Sequence, residues 1–225
     1  MGSNERHGPH NFLGTDHLIA KAVAEETAKR TGVICLQVIP FGVSYHQTVL
    51  GHSARFTGNL QNYLKEICLA LNYYGIRKIV IVNGRGGNLA ALADLARELR
   101  EKGVFISIFQ WWTAASKLLP QIFKPVERGH AGAEETSVNL ALHPHLVRMD
   151  KAVDEETRSH FAEVAGITLP LDTADHTASG VFGKFTTASA EKGREVFEVV
   201  VNELARHVDM LKDAKIEDLM AKPKV

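Results

Sequence analysis

A strand–loop–helix–strand pattern in the middle of the chain constrains the fold more than any other feature of the sequence. Residues 78–82 (KIVIV) and 104–109 (VFISIF) are short apolar runs rich in β-branched side chains, as in strands buried on both faces. A tight glycine loop (NGRGGN, residues 83–88) and an amphipathic helix over 89–102 separate them. Two strands joined through a helix form a βαβ unit, so we predict an α/β fold with a parallel sheet and helices on both faces.

The flanking segments extend this pattern in both directions. Periodicity and end signals predict helices over about residues 17–30, 59–74, 132–142 and 188–212. Asp16 is expected to cap the first of these helices, and Gly32 to lie just past its end. Residues 33–39 form a nearly continuous apolar run, which predicts a further buried strand. No internal repeat or long linker divides the sequence, so we predict one domain over residues 1–225, with 213–225 as a loose tail.

The charge balance argues against a nucleic-acid or anionic-membrane partner. Lys and Arg total 26, Asp and Glu also total 26, and no basic run stands out among the 225 residues. The sequence has no signal-peptide pattern and no apolar run of about 18 residues, so we expect a cytoplasmic protein. Cys35 and Cys68 lie in apolar stretches and are expected to be buried free thiols.

The N-terminal segment carries the first candidate site. Glu5, His7, His10 and Asp16 place two carboxylates and two imidazoles within a dozen residues. Borderline and hard divalent metals accept this mixture of oxygen and nitrogen donors, and a shared carboxylate can bridge two ions. The alternative is a flexible terminus in which Asp16 serves only as a helix cap.

Two further segments carry candidate chemistry. His130 lies in a glycine-flanked loop just before a predicted helix, and Glu135 falls in the first turn of that helix, where its charge is favourable. Ordinary helix-start chemistry would give the same pattern. The glycine loop at 83–88 could hold a phosphate on its backbone N–H groups. It breaks the dinucleotide fingerprint, because Leu89 occupies the third glycine position, and this disfavours a dinucleotide-binding oxidoreductase.

Taken in order, these segments resemble the signature motifs of the creatininase family. The family's GS-x-E-x-HGPHLPLGTD stretch is similar to GSNERHGPHNFLGTD here, its NGHGGN loop to NGRGGN, and its GHAG-x-x-ETS to GHAGAEETS. The C-terminal GVFG and ASAEKG patterns are also present. The matching stretches are residues 2–16, 83–88, 129–137, 180–183 and 188–193.

The resemblance implies a three-layer α/β/α sandwich, a homohexamer, and a paired divalent metal site that hydrolyses a C–N bond in a small or cyclic amide. Carried over by position, Glu5 and Asp16 would hold one metal. His7, Asp16 and Glu135 would hold the other, with Asp16 bridging. His130 would be the acid/base that moves protons between water and the leaving nitrogen. Zn and Mn both suit this mixture of ligands.

Arg85 is the main departure from the family pattern, because it replaces the histidine of NGHGGN. A guanidinium has no acceptor lone pair and stays protonated, so it cannot coordinate a cation. We expect Arg85 to pair with Glu5 and to stand in for the first metal, so that the site holds one ion, through His7, Asp16 and Glu135, or none, with one favoured over two. The alternative is that Arg85 turns to solvent or to a substrate anion. The chain would then be a non-catalytic or altered member that binds an anionic small molecule.

Other departures concern the start of the chain and the pocket. The family's core strand would precede Glu5, and the sequence carries no counterpart for it, so this strand is expected to be missing or replaced. Either His46 or His52 could be the histidine that the family places near the site. Trp111 and Trp112 could wall a substrate pocket, although the core is the alternative position for at least one of them.

Overall fold

A computed structural model describes residues 1–51, 59–155, 157 and 166–220. The chain starts as an irregular segment and then forms helices and strands in an α/β order. These elements are α1 (Thr15–Thr31), α2 (Asn59–Tyr73), β1 (Lys78–Asn83), α3 (Leu89–Glu101), β2 (Phe105–Gln110), α4 (Trp111–Ala114), α5 (Leu119–Ile122), α6 (Ala133–Leu142), α7 (Ala190–Asp213) and α8 (Ile216–Leu219). The predicted helices are all present, with ends that differ by a few residues.

The βαβ unit is confirmed. Strands β1 and β2 pair in parallel, with a register that runs from Lys78 opposite Phe105 to Asn83 opposite Gln110. Helix α3 connects them, so the glycine loop follows the carboxyl end of β1, as the sequence predicted. Across the described ranges these two strands make up the whole of the assigned sheet.

Helices cover both faces of the pair of strands. Val80, Val82 and Phe109 pack on one face, in a core formed with α1, α6 and α7. Ile81 and Ile108 point to the other face, where α2 and α3 supply buried leucines. Successive residues of β1 therefore pack into two separate cores, which explains why residues 79–82 are apolar without alternation. The α/β prediction, with helices on both faces, is confirmed.

Residues 33–39 do not form the predicted strand. The structure assigns them no regular element, and Ile34 and Cys35 are exposed, which also makes the expected burial of Cys35 wrong; Cys68 is buried as predicted. An apolar cavity of about 780 Å³ lies between this segment and β1. A strand is defined by a hydrogen-bonded neighbour, and the cavity separates these residues from the adjacent edge of β1.

The first two residues bridge this gap at one end. The Met1 ammonium donates to the carbonyl of Val82 at 2.6 Å, and the backbone N–H of Gly84 donates to the carbonyl of Met1 at 2.9 Å. On the other side, the N–H of Gly2 donates to the carbonyl of Ile39 at 3.2 Å. These bonds fix the N-terminal segment against the end of β1 and so position the residues that follow it.

Helix α1 begins two residues earlier than predicted. Gly14 is its N-cap residue, and Gly32 ends it in the left-handed conformation, with φ at 73°. The expectation that Asp16 caps the helix is wrong, because Asp16 lies inside the first turn and its carboxylate contacts His7 instead. The end of β1 packs against this turn so closely that a Cβ on Gly84 would lie 2.1 Å from the carbonyl oxygen of Asp16.

The C-terminal segment after α7 contains one further element within the described residues. Residues Ile216–Leu219 form one short helical turn, and residues 221–225 lie outside the described part. No helix in the described ranges is both long and apolar enough to span a membrane.

Candidate active site

The three sequence clusters meet at the carboxyl end of β1. The N-terminal loop brings Glu5 and His7, the first turn of α1 brings Asp16, the loop after β1 brings Arg85, and the start of α6 brings Glu135. Glu5 and His7 are fully buried, and Asp16 is 2% exposed. Such buried polar groups require partners, so the geometry of their contacts indicates what the site can bind.

His7, Asp16 and Glu135 form a compact triad. The Nε2 atom of His7 lies 3.0 Å from Oδ1 of Asp16 and 3.8 Å from Oε2 of Glu135. The Nδ1 atom of His7 lies 3.1 Å from the carbonyl oxygen of Glu5, which accepts a hydrogen bond from it in the Nδ1–H tautomer. That bond leaves the Nε2 lone pair directed at the two carboxylates, an arrangement typical of metal-ligating histidines.

Glu135 is held by the backbone that precedes α6. Its Oε2 atom accepts a hydrogen bond from the N–H of Ala131 at 2.7 Å. Ala131 has φ at 55°, in the left-handed region that non-glycine residues rarely adopt. This conformation costs of the order of 1 kcal/mol and occurs mainly where the surrounding structure enforces it, often at functional sites. The turn therefore orients Glu135 toward His7.

Arg85 turns inward and forms an ion pair with Glu5, so the predicted contact is present. The guanidinium NH1 contacts Oε1 of Glu5, and NH2 contacts Nε2 of His46. The other carboxylate oxygen of Glu5 accepts a hydrogen bond from Ser3 at 3.0 Å. Arg85 is only 8% exposed, which rules out the alternative that it points to solvent.

Two overlapping groups of side chains could each hold a metal ion. The potential ligand atoms of His7, Asp16 and Glu135 all lie within 4.8 Å of one another, and so do those of Glu5, His7 and His130. Oδ2 of Asp16 is buried without a hydrogen-bond partner, whereas Oε1 of Glu5 is paired with Arg85 and Nε2 of His7 faces Asp16. A buried, unpaired carboxylate oxygen beside an imidazole nitrogen and a second carboxylate fits a divalent cation.

The two groups differ in electrostatics. Arg85 places a full positive charge against Glu5, and a cation bound there would be repelled by it. No Lys or Arg in the described ranges forms an ion pair with Asp16 or Glu135. The residues present therefore fit one ion at His7, Asp16 and Glu135 better than a pair of ions.

The pKa shifts describe the same crowding of charge. Burial raises the pKa of Glu5 to about 7, and the Asp16 carboxylate adds to the rise while Arg85 opposes it. Burial would lower the pKa of His7, but the Asp16, Glu135 and Glu5 carboxylates outweigh it and raise that pKa to about 9. Burial also raises the pKa of Glu135. A centre with three carboxylates near one imidazole needs extra positive charge, from protons or from a metal.

His130 lies beside this centre in its neutral form. Burial, His7 and Arg85 lower its pKa well below the ordinary value. Its Nε2 atom lies 2.7 Å from the carbonyl oxygen of Arg6, which can only accept, so Nε2 carries the hydrogen. The Nδ1 lone pair then lies on the side of Glu5, at 3.8 Å from Oε1. His130 can therefore accept a proton at Nδ1.

A cavity of about 620 Å³ opens onto these residues. His46, Arg85 and His130 lie on its wall, and so does Arg128, which sequence reasoning missed. Arginine is common on protein surfaces, and its spacing from His130 gave no signal that the side chain would face a cavity.

Both tryptophans and His10 have packing roles instead. Trp111 is buried in the core and Trp112 packs against the same core, so neither tryptophan lines the cavity within the described ranges. The expectation that Trp112 walls the pocket is therefore not supported. His10 bonds Thr136 at 3.0 Å and holds the N-terminal loop to α6. His52 lies outside the described residues.

Comparison with known proteins finds relatives over most of the chain. The creatininase family model, described as creatinine amidohydrolase, matches residues 1–208. The creatinine amidohydrolase of Pseudomonas putida is 30% identical, over 91% of this chain and 85% of its own length. The mycofactocin precursor peptide peptidase of Mycobacterium tuberculosis (strain ATCC 25618 / H37Rv) is 32% identical, over 92% of this chain and 82% of its own length.

Solved creatininases resemble this chain in fold as well as in sequence. A manganese form has a TM-score of 0.78 at 27% identity, covering 95% of this chain and 89% of that chain. A zinc–zinc form of a creatininase variant has a TM-score of 0.77 at 28% identity, with the same coverage of both chains. The named relatives are amidohydrolases and peptidases, which cleave C–N bonds. The chain belongs to the creatininase family.

Proposed function

We propose that this protein is a metal-dependent hydrolase of the C–N bond of a small or cyclic amide. One divalent ion is held by His7, Asp16 and Glu135, and His130 is the acid/base. One observation carries the proposal: three potential ligand atoms lie within 4.8 Å of one another, and the ring of His7 lies 4.1 Å from that of His130, which lines the cavity. The Mn and Zn–Zn forms of solved creatininases support either metal.

When bound, such an ion supplies a Lewis acid for the carbonyl and lowers the pKa of water toward about 7. The ligand set is built for this task. The Nδ1 bond of His7 and the Ala131 bond of Glu135 orient both side chains before an ion arrives. Such outer contacts matter because loosely held ligands weaken a metal site.

His130 handles the proton. It is neutral at pH 7 because its pKa is lowered, so its Nδ1 atom can take a proton from an attacking water. The same atom can then pass the proton to the leaving nitrogen, which departs as a neutral amine. The carbonyl of Arg6 fixes the ring through Nε2 and so directs Nδ1 into the site.

Arg85 supplies the positive charge that a second ion would otherwise bring. Its guanidinium lies on the cavity wall and is fixed by Glu5 on the inner side. A rigid cation here can stabilise the negative charge that develops on the carbonyl oxygen during attack. In the rival role Arg85 binds an anionic ligand in a non-catalytic protein, and the metal counting below separates that role from this one.

The proposal also covers the size of the substrate, the assembly and the location of the protein. A cavity of about 620 Å³ suits a small molecule better than a folded protein. We propose a homohexamer in the cytoplasm, as the family resemblance suggests. Sedimentation analysis of the purified protein measures the first of these directly.

Metal counting tests the proposal. The purified protein is loaded with excess Zn or Mn, freed of unbound ion, and measured for bound metal and amide hydrolysis. We expect one equivalent per chain, none in His7→Asn, and two in Arg85→His, which restores a ligand and removes the charge. Hydrolysis is expected to be abolished by a chelator and in His130→Ala. Two equivalents in the unaltered protein, or full activity in the chelator, would contradict the proposal.

A further inference from the structure

Arg128 lies on the wall of the 620 Å³ cavity that also holds Arg85 and His130. Its segment is pinned to the chain that faces it. The N–H of Lys184 donates to the carbonyl of Val126 and that of Phe182 to the carbonyl of His130, both at 2.8 Å. These two bonds bracket Arg128, so its distance from His130 is set by backbone rather than by a mobile loop.

The guanidinium of Arg128 lacks a counter-ion in the described part of the chain. Its Nε atom is buried without a hydrogen-bond acceptor, and no carboxylate there lies within the 4.0 Å of an ion pair. Glu134 feels the charge of Arg128 at longer range but does not contact it closely. A partly buried cation with an unused buried donor is costly unless a ligand completes it.

Glu155 is the carboxylate that shares the cavity wall, and it has other partners. Its two oxygens accept from the N–H of Ala178 at 2.7 Å, the N–H of Ser179 at 2.9 Å, and the hydroxyl of Ser179. Arg85, the other arginine of the wall, is paired with Glu5. Within the described ranges, Arg128 is therefore the wall cation that remains available to a ligand.

We propose that Arg128 binds an oxyanion group of the substrate, so that the amides cleaved here carry a carboxylate or a phosphate. A guanidinium suits both groups because its planar donors can form two parallel hydrogen bonds. The position fits a substrate whose amide lies at His130 while its anionic end lies at Arg128. This inference rests on the proposed function, since it assigns the substrate class of the same site.

Matched amides test the inference. N-formyl-β-alanine carries a carboxylate, N-formyl-2-aminoethyl phosphate carries a phosphate, and N-formylpropylamine is neutral with a similar length. In the metal-loaded protein we expect kcat/KM to be at least about tenfold higher for one of the anionic amides than for the neutral one, as for charge-assisted hydrogen bonds. Whichever anion is preferred identifies the group. In Arg128→Gln we expect the preference to fall about tenfold or more, whereas Arg128→Lys, the charge-conserving control, keeps part of it.

A binding measurement separates this inference from the proposed function. Calorimetry with N-formyl-β-alanine and with inorganic phosphate is run on the unaltered protein, Arg128→Gln and Arg128→Lys, with circular dichroism as the check on folding. Binding that weakens tenfold in Arg128→Gln, without any amide hydrolysis, would support Arg128 and sink the proposed function. Hydrolysis whose preference does not change in Arg128→Gln would overturn the inference and leave the proposed function in place. Absence of both anion preference and anion binding would also overturn it.

Discussion

Replacing Arg85 by Met tests whether the Glu5–Arg85 ion pair balances charge in the metal-free protein. Met keeps an unbranched side chain of moderate length and removes the charge. Breaking a buried ion pair commonly costs about 3–5 kcal/mol, because it leaves one charge unpaired. Glu5 can avoid this cost by taking up a proton, because its pKa is already raised to about 7.

The magnitude follows from that pKa. A carboxyl whose folded-state pKa is raised above the reference of 4.5 binds more protons in the folded state, so stability falls as pH rises between the two values. In the unaltered protein this loss of stability ends near pH 7, where Glu5 has lost its proton. Without Arg85 the pKa of Glu5 rises further, so stability continues to fall above pH 7. One pKa unit corresponds to about 1.4 kcal/mol. Relative to the unaltered protein, the free energy of unfolding of the variant should be almost unchanged at pH 6, lower by about 1.4 kcal/mol at pH 8 and lower by about 2.7 kcal/mol at pH 9.

Urea denaturation in a chelator, at pH 6, 7, 8 and 9, measures this difference between variant and unaltered protein. The matched control is the double variant Glu5→Gln with Arg85→Met, which has no carboxyl at position 5. Its difference from Glu5→Gln alone measures the effect of Arg85 on other groups such as Glu135 and His130, and is subtracted. A constant cost of 3–5 kcal/mol at every pH would refute the reasoning, because it would mean that Glu5 stays ionised. So would a cost that is no larger at pH 9 than at pH 6.

Two further predictions concern His7 and the glycine loop. In a chelator, the unaltered protein should be more stable than His7→Asn below pH 6.5, and this difference should be lost as pH rises to about 9, because the pKa of His7 is raised to about 9 in the folded state. Urea denaturation measures the difference, and a difference that grows with pH would contradict the assignment. Gly84→Ala should destabilise the protein by about 1–3 kcal/mol and weaken metal binding, because the new Cβ would lie 2.1 Å from the carbonyl oxygen of Asp16. Gly86→Ala in the same loop meets no atom within 4 Å and should change stability by less than about 0.5 kcal/mol in thermal melting, so equal effects of the two would count against the packing argument.

The parts of the fold that the sequence predicted are those set by local pattern. The βαβ unit over β1, α3 and β2 follows from two apolar runs and an amphipathic helix, and each of these is readable within a few turns of chain. Residues 33–39 have the same apolar character but form no strand, because pairing depends on a neighbour that the sequence of this segment does not specify. Asp16 failed as a helix cap for a similar reason, since His7 offers its carboxylate a buried partner.

The site divides in the same way. The motifs brought Glu5, His7, Asp16, Glu135 and His130 to attention, and the structure places all five around one buried centre. The inward direction of Arg85 was predicted because a charged guanidinium replaces the histidine of the NGHGGN motif beside Glu5. Arg128 could not be found in this manner, because its direction depends on the backbone bonds that hold residues 126–130 against 182–184.

The pairing of Arg85 with Glu5 also bears on how such a centre responds to its surroundings. A bound ion has a dissociation constant, so its occupancy follows the supply of free metal, whereas a guanidinium is covalently attached and cannot be diluted or chelated away. The positive charge of Arg85 is thus fixed during synthesis of the chain. Under the proposed function, loading of the remaining position should follow a simple one-site isotherm, with no second ion to make it cooperative, and activity would fall gradually as metal becomes scarce.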